Sequence, residues 1–258
     1  MCLLVFAWKT HPDYPLVFAG NRDELHARPA QPAGFWQDAP QVLGGRDLEA
    51  GGTWLGVSVS GRFAVVTNYR EGPAPQKAPR SRGELTAQFL RSDTTPENYI
   101  REVVRRAQEY GAFSLIIGDP GTLWYFSNRA AAPPRAISAG LHGLSNHLLD
   151  TPWPKVARSM TRLEALLARR ADPVGEALFG LLADRTPAPA GALPDTGIGA
   201  ERERLLSSPF VLHPVYGTRC SSVIRMHKDD NLHFTERRFD SDGQPLETRH
   251  FRIAGGPQ

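Results

Sequence analysis

Short apolar segments occur in pairs along this chain, with a compact turn between the two members of each pair. Residues 2–8 (CLLVFAW) and 16–19 flank a turn cluster at 10–15 that holds two prolines and an aspartate. Segments this short, rich in branched and aromatic side chains, are typical of buried strands, and a short polar turn between two of them predicts an antiparallel hairpin. The other expected strands are 54–60, 62–67, 113–118, 122–126, 217–226, 231–239 and 246–253.

Helical patterns lie between the strand pairs. Ser81 followed by Glu84 matches a capping box, which predicts a helix from there to about Arg91. Proline is favoured at the first position of a helix, so the Thr-Pro-Glu segment at 95–97 predicts a second helix that runs to about Tyr110. Further helices are expected at 154–170, 173–184 and 199–206, and long loops at 27–53, 70–80 and 187–194.

The order of these segments decides between fold classes. Strands never alternate singly with helices, which disfavours a doubly wound parallel sheet and favours an α+β fold with helices packed outside antiparallel sheets. The chain has 258 residues, of which 41% are hydrophobic, enough to bury a sizeable core. We therefore expect a single domain over residues 1–258.

Charge and cysteine content exclude several function classes. The 30 basic residues never form a block of five, so the charge footprint of a nucleic-acid-binding protein is missing. With two cysteines, Cys2 and Cys220, neither a disulfide framework nor a four-cysteine zinc site can form, and we expect no metal site.

Membrane and secretion signals are missing from the sequence as well. No apolar run approaches the ~20 residues of a membrane span, so we expect no stable membrane insertion. The first residues carry no leading positive charge and do not match a signal peptide, so the expected compartment is the cytoplasm. The sequence does not predict an oligomeric state.

Cys2 is the strongest candidate for a catalytic residue. Aminopeptidases remove an initiating methionine when the second residue is small, which would leave Cys2 with a free α-amine. Such an amine has a pKa near ~7.7–8.0 and lies next to the thiol, so it can act as the base of an acyl-transfer nucleophile. The alternative is that Cys2 is a small buried strand residue with no chemical role.

The predicted hairpin brings polar side chains to Cys2. With a turn centred near residue 12, Cys2 lies opposite residue 22, give or take two, and residues 20–24 read Gly-Asn-Arg-Asp-Glu. Arg22 would favour the thiolate, and Asp23 could accept a hydrogen bond from the α-amine or the thiol. Alternatively, residues 21–24 form a polar turn with an internal ion pair.

Several short motifs accompany this start. The tetrapeptide Asn21-Arg22-Asp23-Glu24 after Met-Cys resembles the signature of the NRDE family, the Transport and Golgi organization protein 2-like proteins. Further matches keep their order from residue 1 to about residue 240. They are Gly51-Gly52-Thr53-Trp54-Leu55-Gly56, Thr67-Asn68-Tyr69-Arg70, Ser81-Arg82-Gly83, Gly143-Leu144-Ser145-Asn146, Asp150-Thr151-Pro152-Trp153-Pro154-Lys155 and Tyr216-Gly217-Thr218-Arg219.

The NRDE family is in turn similar to N-terminal-nucleophile hydrolases, in particular to the choloylglycine hydrolase and penicillin V acylase group. That group also begins with Met-Cys and carries Gly-Arg-Asn-x-Asp on its second strand, whereas the order of arginine and asparagine is reversed here. The resemblance implies a four-layer αββα sandwich of two antiparallel sheets, with the nucleophile at a strand end. It also implies Asn68 and Asn146 as oxyanion or substrate contacts and Arg219 as a basic residue near the nucleophile.

These assignments give a catalytic set and a binding set. The catalytic candidates are Cys2, Arg22, Asp23, Asn68, Asn146 and Arg219. The candidates for substrate binding are Asn21, Glu24, Trp54, Tyr69, His147 and Trp153. Trp153 lies between two prolines and is alternatively a packing anchor, and His147 is alternatively a structural histidine.

Two function classes remain open. The first is a cysteine N-terminal-nucleophile hydrolase or acyltransferase that acts on a small amide, acyl or thioester substrate without a cofactor. The second is a non-catalytic carrier that uses the same pocket, since the resemblance also implies haem mobilisation and lipid or acyl-coenzyme A metabolism. Haem would then be a carried ligand. The enzyme needs a processed Cys2, whereas the carrier needs an apolar pocket and tolerates change at position 2.

Overall fold

The structure, a computed structural model, describes residues 2–72, 78–169 and 175–254. The described residues fall into two compact units. Unit 1 contains the chain up to Ala27, Ser138–Ser145 and the chain from Leu149 onward, and unit 2 contains Arg28–Ile137 and Asn146–Leu148. Each unit is built on one antiparallel sheet, which confirms the α+β class. The expectation of a single domain stays a prediction.

The strands and helices are numbered in chain order. The strands are β1 (Cys2–Trp8), β2 (Leu16–Leu25), β3 (Ala30–Trp36), β4 (Ala39–Asp47), β5 (Leu55–Ser58), β6 (Phe63–Asn68), β7 (Phe113–Gly118), β8 (Leu123–Ser127), β9 (Arg135–Ala136), β10 (Gly140–Leu144), β11 (Tyr216–Met226), β12 (Leu232–Phe239) and β13 (Pro245–Ile253). The α-helices are α1 (Gly83–Arg91), α2 (Pro96–Arg105), α3 (Pro154–Leu167), α4 (Gly175–Leu182) and α5 (Ala200–Leu205).

The sheet of unit 1 has the strand order β10-β1-β2-β11-β12-β13. Successive strand residues point to opposite faces, so one face of β1 and β2 carries Val5, Ala7, Val17 and Ala19. These side chains form a buried cluster with leucines of α3 and α4, and this face is called the helix face below. Cys2 and its even-numbered neighbours in β1 belong to the opposite face, called the cysteine face.

The sheet of unit 2 has the strand order β3-β4-β5-β6-β7-β8-β9, and α1 and α2 pack against it. Its start corrects one prediction, because residues 27–53 hold the strands β3 and β4 and are not a long loop. Proline in a strand is tolerated at a sheet edge or a bulge. Pro32 has both, since β3 is an edge strand whose pairing shifts register between Gln31 and Gly34.

The capping box predicted for α1 is also wrong. The helix begins at Gly83, its N-cap is Arg82, and no side chain caps it. The Glu84 carboxylate binds the guanidinium of Arg80 instead of reaching back to a backbone N–H. The first turn packs on the Gly51-Gly52-Thr53 segment, where a Cβ on Gly52 would lie 2.4 Å from the backbone of Gly83.

The prediction for α2 is confirmed at its start and wrong at its end. Thr95 accepts a hydrogen bond from the backbone N–H of Asn98, and Pro96 opens the helix. The helix ends at Arg105, and a short 3₁₀ turn at Ala107–Glu109 follows it.

Some predicted elements fall partly outside the described residues, and some strands of the structure were not predicted. Residues 73–77 of the expected loop, and residues 170, 173 and 174 of two expected helices, are not described. The strands β9 and β10 were not predicted. Within the described ranges, no helix has both the length and the apolar character needed to cross a membrane.

Candidate active site at Cys2

Cys2 lies at the start of β1 in a row of paired residues that crosses four strands. It pairs with Arg22 of β2, Arg22 pairs with Cys220 of β11, and Cys220 pairs with Arg238 of β12. Directly opposed residues of antiparallel strands project from the same face of a sheet. The predicted pairing of Cys2 with residue 22 is therefore confirmed. The alternative of a polar turn at 21–24 is wrong, because these residues lie within β2.

The environment of Cys2 disfavours a preformed thiolate. The residue is 6% exposed, and burial raises the pKa of its thiol above the ordinary value of 9.0. The carboxylate of Asp23 also raises this pKa, whereas Arg22 and the backbone N–H of Asp23 lower it. The hydroxyl of Ser145 donates to the Cys2 carbonyl oxygen at 3.0 Å and anchors this end of β1.

Asp23 is a buried carboxylate whose position is fixed by its neighbours on β11. It is 1% exposed, and its Oδ1 accepts a hydrogen bond from the Thr218 hydroxyl at 2.7 Å. The Thr218 oxygen in turn accepts from the backbone N–H of Val211 at 2.9 Å, and the Tyr216 hydroxyl donates to the Asp23 carbonyl. Thr218 was not predicted as a site residue, although the Tyr-Gly-Thr-Arg motif contains it.

Two charged residues, Glu24 and Arg219, lie near Arg22 in this row of paired residues. The guanidinium of Arg22 lies 3.7 Å from the Glu24 carboxylate, and Nη1 of Arg219 donates to the Leu25 carbonyl at 2.8 Å. The β2–β11 pairing shifts register between Thr218 and Cys220, so Arg219 is the extra residue of a bulge. Bulges redirect side chains at functional sites, and this one turns Arg219 toward the end of β2.

Cys220 is a second buried thiol on the same face. It is 7% exposed, and burial together with the nearby Glu236 carboxylate raises its pKa well above 9.0. Arg22 separates it from Cys2, so their Cα atoms are about 10 Å apart at the usual strand spacing. A disulfide needs Cα atoms within about 7 Å, so the two cysteines do not meet that requirement.

Asn21 lies on the helix face, away from the side chain of Cys2. Its Nδ2 donates to the carbonyl oxygens of Leu182 and Pro209, each at 2.9 Å, and its Oδ1 accepts from the Ser221 hydroxyl at 2.6 Å. The side chain is fully buried. Asn21 therefore ties the end of α4 and the 209 segment to β2, which is a structural position rather than one that faces a substrate of Cys2.

Asn68 and Asn146 belong to unit 2, where they are neighbours. The Nδ2 of Asn146 donates to the carbonyl oxygen of Asn68 at 2.9 Å, and the Asn146 carbonyl accepts from the N–H of Arg70 at 2.7 Å. Asn146 has a φ of 53°, a left-handed conformation that asparagine tolerates better than most residues. Asn68 is exposed at the end of β6.

Tyr69 and His147 form a pair next to these asparagines in the chain. The Tyr69 hydroxyl and His147 Nε2 lie 2.8 Å apart, and the ring centroids lie 4.7 Å apart. Burial lowers the pKa of His147 below 6.5 and raises the pKa of Tyr69 above 10.0. Both groups are therefore neutral at pH 7. The Ser114 hydroxyl donates a hydrogen bond to the His147 carbonyl oxygen at 2.7 Å.

The two tryptophans predicted to bind substrate, Trp54 and Trp153, are half-buried, one before a strand and one before a helix. Trp54 precedes β5, and its carbonyl accepts from the N–H of Val66 at 2.8 Å. Trp153 is the N-cap residue of α3, a helix that packs on the helix face. Among the residues that the structure describes, no group of three or more His, Cys, Asp or Glu side chains could hold a metal ion.

The structure thus brings the predicted residues together in two sets. Unit 1 brings Cys2, Arg22, Glu24 and Arg219 together at one end of its sheet. Asp23 lies at the same end, and strand alternation puts it on the helix face with Asn21. Unit 2 gathers Asn68, Tyr69, Asn146 and His147.

Similar proteins were found both by sequence and by structure. The chain is 37% identical to the Transport and Golgi organization protein 2 homolog of Bos taurus over 98% of its own length and 99% of that protein, and 35% identical to the human homolog with the same coverage. Among solved structures, penicillin V acylase from Agrobacterium tumefaciens aligns with a TM-score of 0.48 at 14% identity, covering 98% of this chain and 86% of that one. A C2A mutant of conjugated bile acid hydrolase from Clostridium perfringens aligns with a TM-score of 0.46 at 10% identity, covering 100% of this chain and 99% of that one.

A family model described as Transport and Golgi organisation 2 matches residues 1–241. That match covers the Asn21–Glu24 tetrapeptide and all the other motifs quoted above. Family model and full-length relatives agree, and the chain therefore belongs to the Transport and Golgi organisation 2 family.

Proposed function

We propose that this protein is a cysteine hydrolase or acyltransferase of the N-terminal-nucleophile type, acting on a small amide, acyl or thioester substrate. The observation that carries the proposal is the arrangement at the start of β1. There Cys2 lies opposite Arg22 in the pairing of β1 with β2, and the charges of Arg22 and of Asp23, whose carboxylate accepts a hydrogen bond from Thr218, both act on the pKa of the Cys2 thiol. The proposal requires removal of Met1, so that the α-amine of Cys2 is free.

The first half of the reaction transfers the acyl group to sulfur. Cys2 Sγ attacks the substrate carbonyl carbon, and the α-amine of Cys2 takes the thiol proton during the attack. Burial raises the thiol pKa, so a base that acts during the attack suits this site better than a preformed thiolate. The C–N or C–S bond of the substrate then breaks, the α-ammonium returns the proton to the leaving group, and the acyl group stays on Cys2 as a thioester.

The second half releases the acyl group. Water, or an acceptor nucleophile in an acyltransferase, attacks the thioester and gives its proton to the α-amine, which returns it to the sulfur as the thiol re-forms. Asp23 would accept a hydrogen bond from the ammonium form, and Arg22 would stabilise the charge on sulfur. Hydrogen-bond donors to the oxyanion of such a reaction typically contribute ~10²–10³ in rate.

The burial of the Cys2 thiol favours a second candidate function. A buried thiol with a raised pKa suits a protein that binds a ligand without covalent chemistry. That protein would carry an apolar small molecule, such as haem or an acyl chain. In a carrier, Cys2→Ala keeps ligand binding, whereas in the enzyme it abolishes turnover.

Substitution of each cysteine separates the two candidates. A panel of acyl amides and acyl thioesters is incubated with the wild type, Cys2→Ala and Cys2→Ser, and with Cys220→Ser as the matched control that also removes one buried thiol. The enzyme proposal expects turnover by the wild type and by Cys220→Ser, and a loss of at least about a hundredfold in both Cys2 variants. Cys2 variants that keep every activity of the wild type would contradict it.

A further inference from the structure

Two buried hydroxyl groups on β11 donate to polar side chains that lie directly opposite them on β2. Thr218 pairs with Asp23, and its hydroxyl donates to Asp23 Oδ1 at 2.7 Å. Ser221 pairs with Asn21, and its hydroxyl donates to Asn21 Oδ1 at 2.6 Å. Thr218 and Ser221 are 1% and 2% exposed, so both hydrogen bonds are shielded from water. The two bonds are alike in strand, burial and length, and they differ in the side chain that accepts them.

The bulge at Arg219 brings Thr218 to this face of the sheet. Residues three apart in a regular strand point to opposite faces, so in a regular β11 Thr218 and Ser221 would not share one. The extra residue between Thr218 and Cys220 shifts the register by one, and both hydroxyl groups then lie on the helix face. The irregularity in β11 therefore makes the contact between Thr218 and Asp23 possible.

The backbone fixes the direction of the Thr218 hydrogen bond. The Thr218 oxygen accepts from the N–H of Val211 at 2.9 Å, and the N–H of Thr218 donates to the Val211 carbonyl, also at 2.9 Å. A backbone N–H only donates, so the single hydroxyl proton of Thr218 is directed to Asp23. This hydrogen bond holds the carboxylate in one orientation, in which Oδ1 is engaged by Thr218.

Asp23 connects this hydrogen bond to the Cys2 thiol. The backbone N–H of Asp23 is a hydrogen-bond donor to that thiol, and the Asp23 carboxylate acts on the thiol through its charge. In the proposed reaction, the same carboxylate accepts a hydrogen bond from the α-amine that takes the thiol proton. A base must lie within hydrogen-bond reach of the proton that it removes, so the orientation of the amine limits the rate of attack.

We propose that Thr218 is a positioning residue for this reaction, because it holds the Asp23 carboxylate in the orientation that directs the α-amine of Cys2 toward the thiol. The inference rests on the proposed function, and it adds a residue to which the family resemblance assigns no role. Thr218 acts through Asp23, so its loss lowers the rate constant of acyl transfer and leaves substrate binding nearly unchanged.

The test measures a single acylation of Cys2 by para-nitrophenyl acetate, an activated acyl donor. Release of nitrophenol gives the rate constant and the donor concentration at half-maximal rate, and peptide mapping identifies the acetylated residue. Thr218→Val keeps the shape of the side chain without its hydroxyl, whereas Thr218→Ser keeps the hydroxyl. Ser221→Ala is the matched control, because it removes the other buried hydroxyl of β11. Tryptophan fluorescence shows that each variant is folded at every pH used.

The proposal predicts that Thr218→Val acylates Cys2 about tenfold more slowly, a part of the ~10²–10⁴ that a positioned base contributes. The donor concentration at half-maximal rate stays within about twofold of the wild type. The pH–rate profile shifts to lower pH, because a carboxylate that is no longer held in place favours the ammonium form less. Thr218→Ser and Ser221→Ala keep the wild-type profile and a rate within about threefold of it.

Two results would overturn this inference and leave Cys2 as the nucleophile. One is an equal loss of rate in Thr218→Val and Ser221→Ala, and the other is a Thr218→Ser variant as slow as Thr218→Val. Thr218→Ala, which only removes atoms, takes the place of Thr218→Val if the valine variant does not fold. A wild type that gains no acetyl group at Cys2 would contradict the proposed function and this inference together.

Discussion

Replacement of Asn21 by alanine should destabilise the protein strongly. The substitution removes three hydrogen bonds from a fully buried site, leaving the carbonyl oxygens of Leu182 and Pro209 without this donor and the Ser221 hydroxyl without this acceptor. Each such bond contributes about 1 kcal/mol, and a buried group left unpaired costs about 1–3 kcal/mol. With partial relaxation, we expect a loss of about 3–4 kcal/mol in the free energy of unfolding.

That loss is large beside the total stability of a typical domain, about 5–15 kcal/mol. The assay is urea unfolding followed by tryptophan fluorescence, with the midpoint and the slope compared between variants. Ser221→Ala is the matched control, because it removes only the hydroxyl that donates to Asn21 and should cost about 1 kcal/mol. A loss of less than about 1 kcal/mol in the free energy of unfolding of Asn21→Ala, together with a loss of activity, would contradict a structural role and favour Asn21 as a substrate contact.

Three further predictions concern other parts of the fold. Gly52→Ala should cost about 2–4 kcal/mol in urea unfolding, because the new Cβ would lie 2.4 Å from backbone atoms, whereas Gly34→Ala, with no atom within 4 Å, should stay within about 1 kcal/mol; equal costs would contradict this. Thr218→Val should cost about 2 kcal/mol by the same assay, because it removes the hydroxyl that donates to Asp23, and an unchanged midpoint would contradict that role. Burial lowers the pKa of His147 in the folded chain, so the unfolded chain binds more protons in acid. The contribution of His147 to stability is therefore present above about pH 6.5 and is lost as the pH falls. His147→Gln should flatten the decline in urea midpoint between pH 8 and pH 5, and an identical decline in the variant would contradict this.

The hairpin register could be predicted because it depends on local information. A short turn near residue 12 fixes which residues face each other, and this placed Arg22 opposite Cys2. The same turn could not show that β2 continues to Leu25, because the polar run at 21–24 also suits a turn. Strand periodicity then puts Asn21 on the face opposite Cys2, and the prediction that Asn21 binds substrate did not take this periodicity into account.

The remaining differences arise from tertiary contacts. Residues 27–53 are rich in glycine and proline, yet they form the strands β3 and β4. Proline is tolerated there because β3 is an edge strand with a bulge around Pro32. The capping box at Ser81 does not form, because the helix begins after Arg82 and the Glu84 carboxylate binds the guanidinium of Arg80. The bulge at Arg219 lies in the pairing of β2 with β11, two strands more than 190 residues apart in the chain, so no local pattern indicates it.

The most direct test of a nucleophilic Cys2 is the intact mass of the purified, untagged protein, measured before and after a brief reaction with an activated acyl donor and an acid quench. We expect a chain that has lost Met1 and gains one acyl group, which peptide mapping places on Cys2, and no acyl group on Cys2→Ala. A chain that retains Met1 and gains no acyl group at Cys2 would contradict the hydrolase mechanism, and direct binding of haem and acyl chains would then be measured instead.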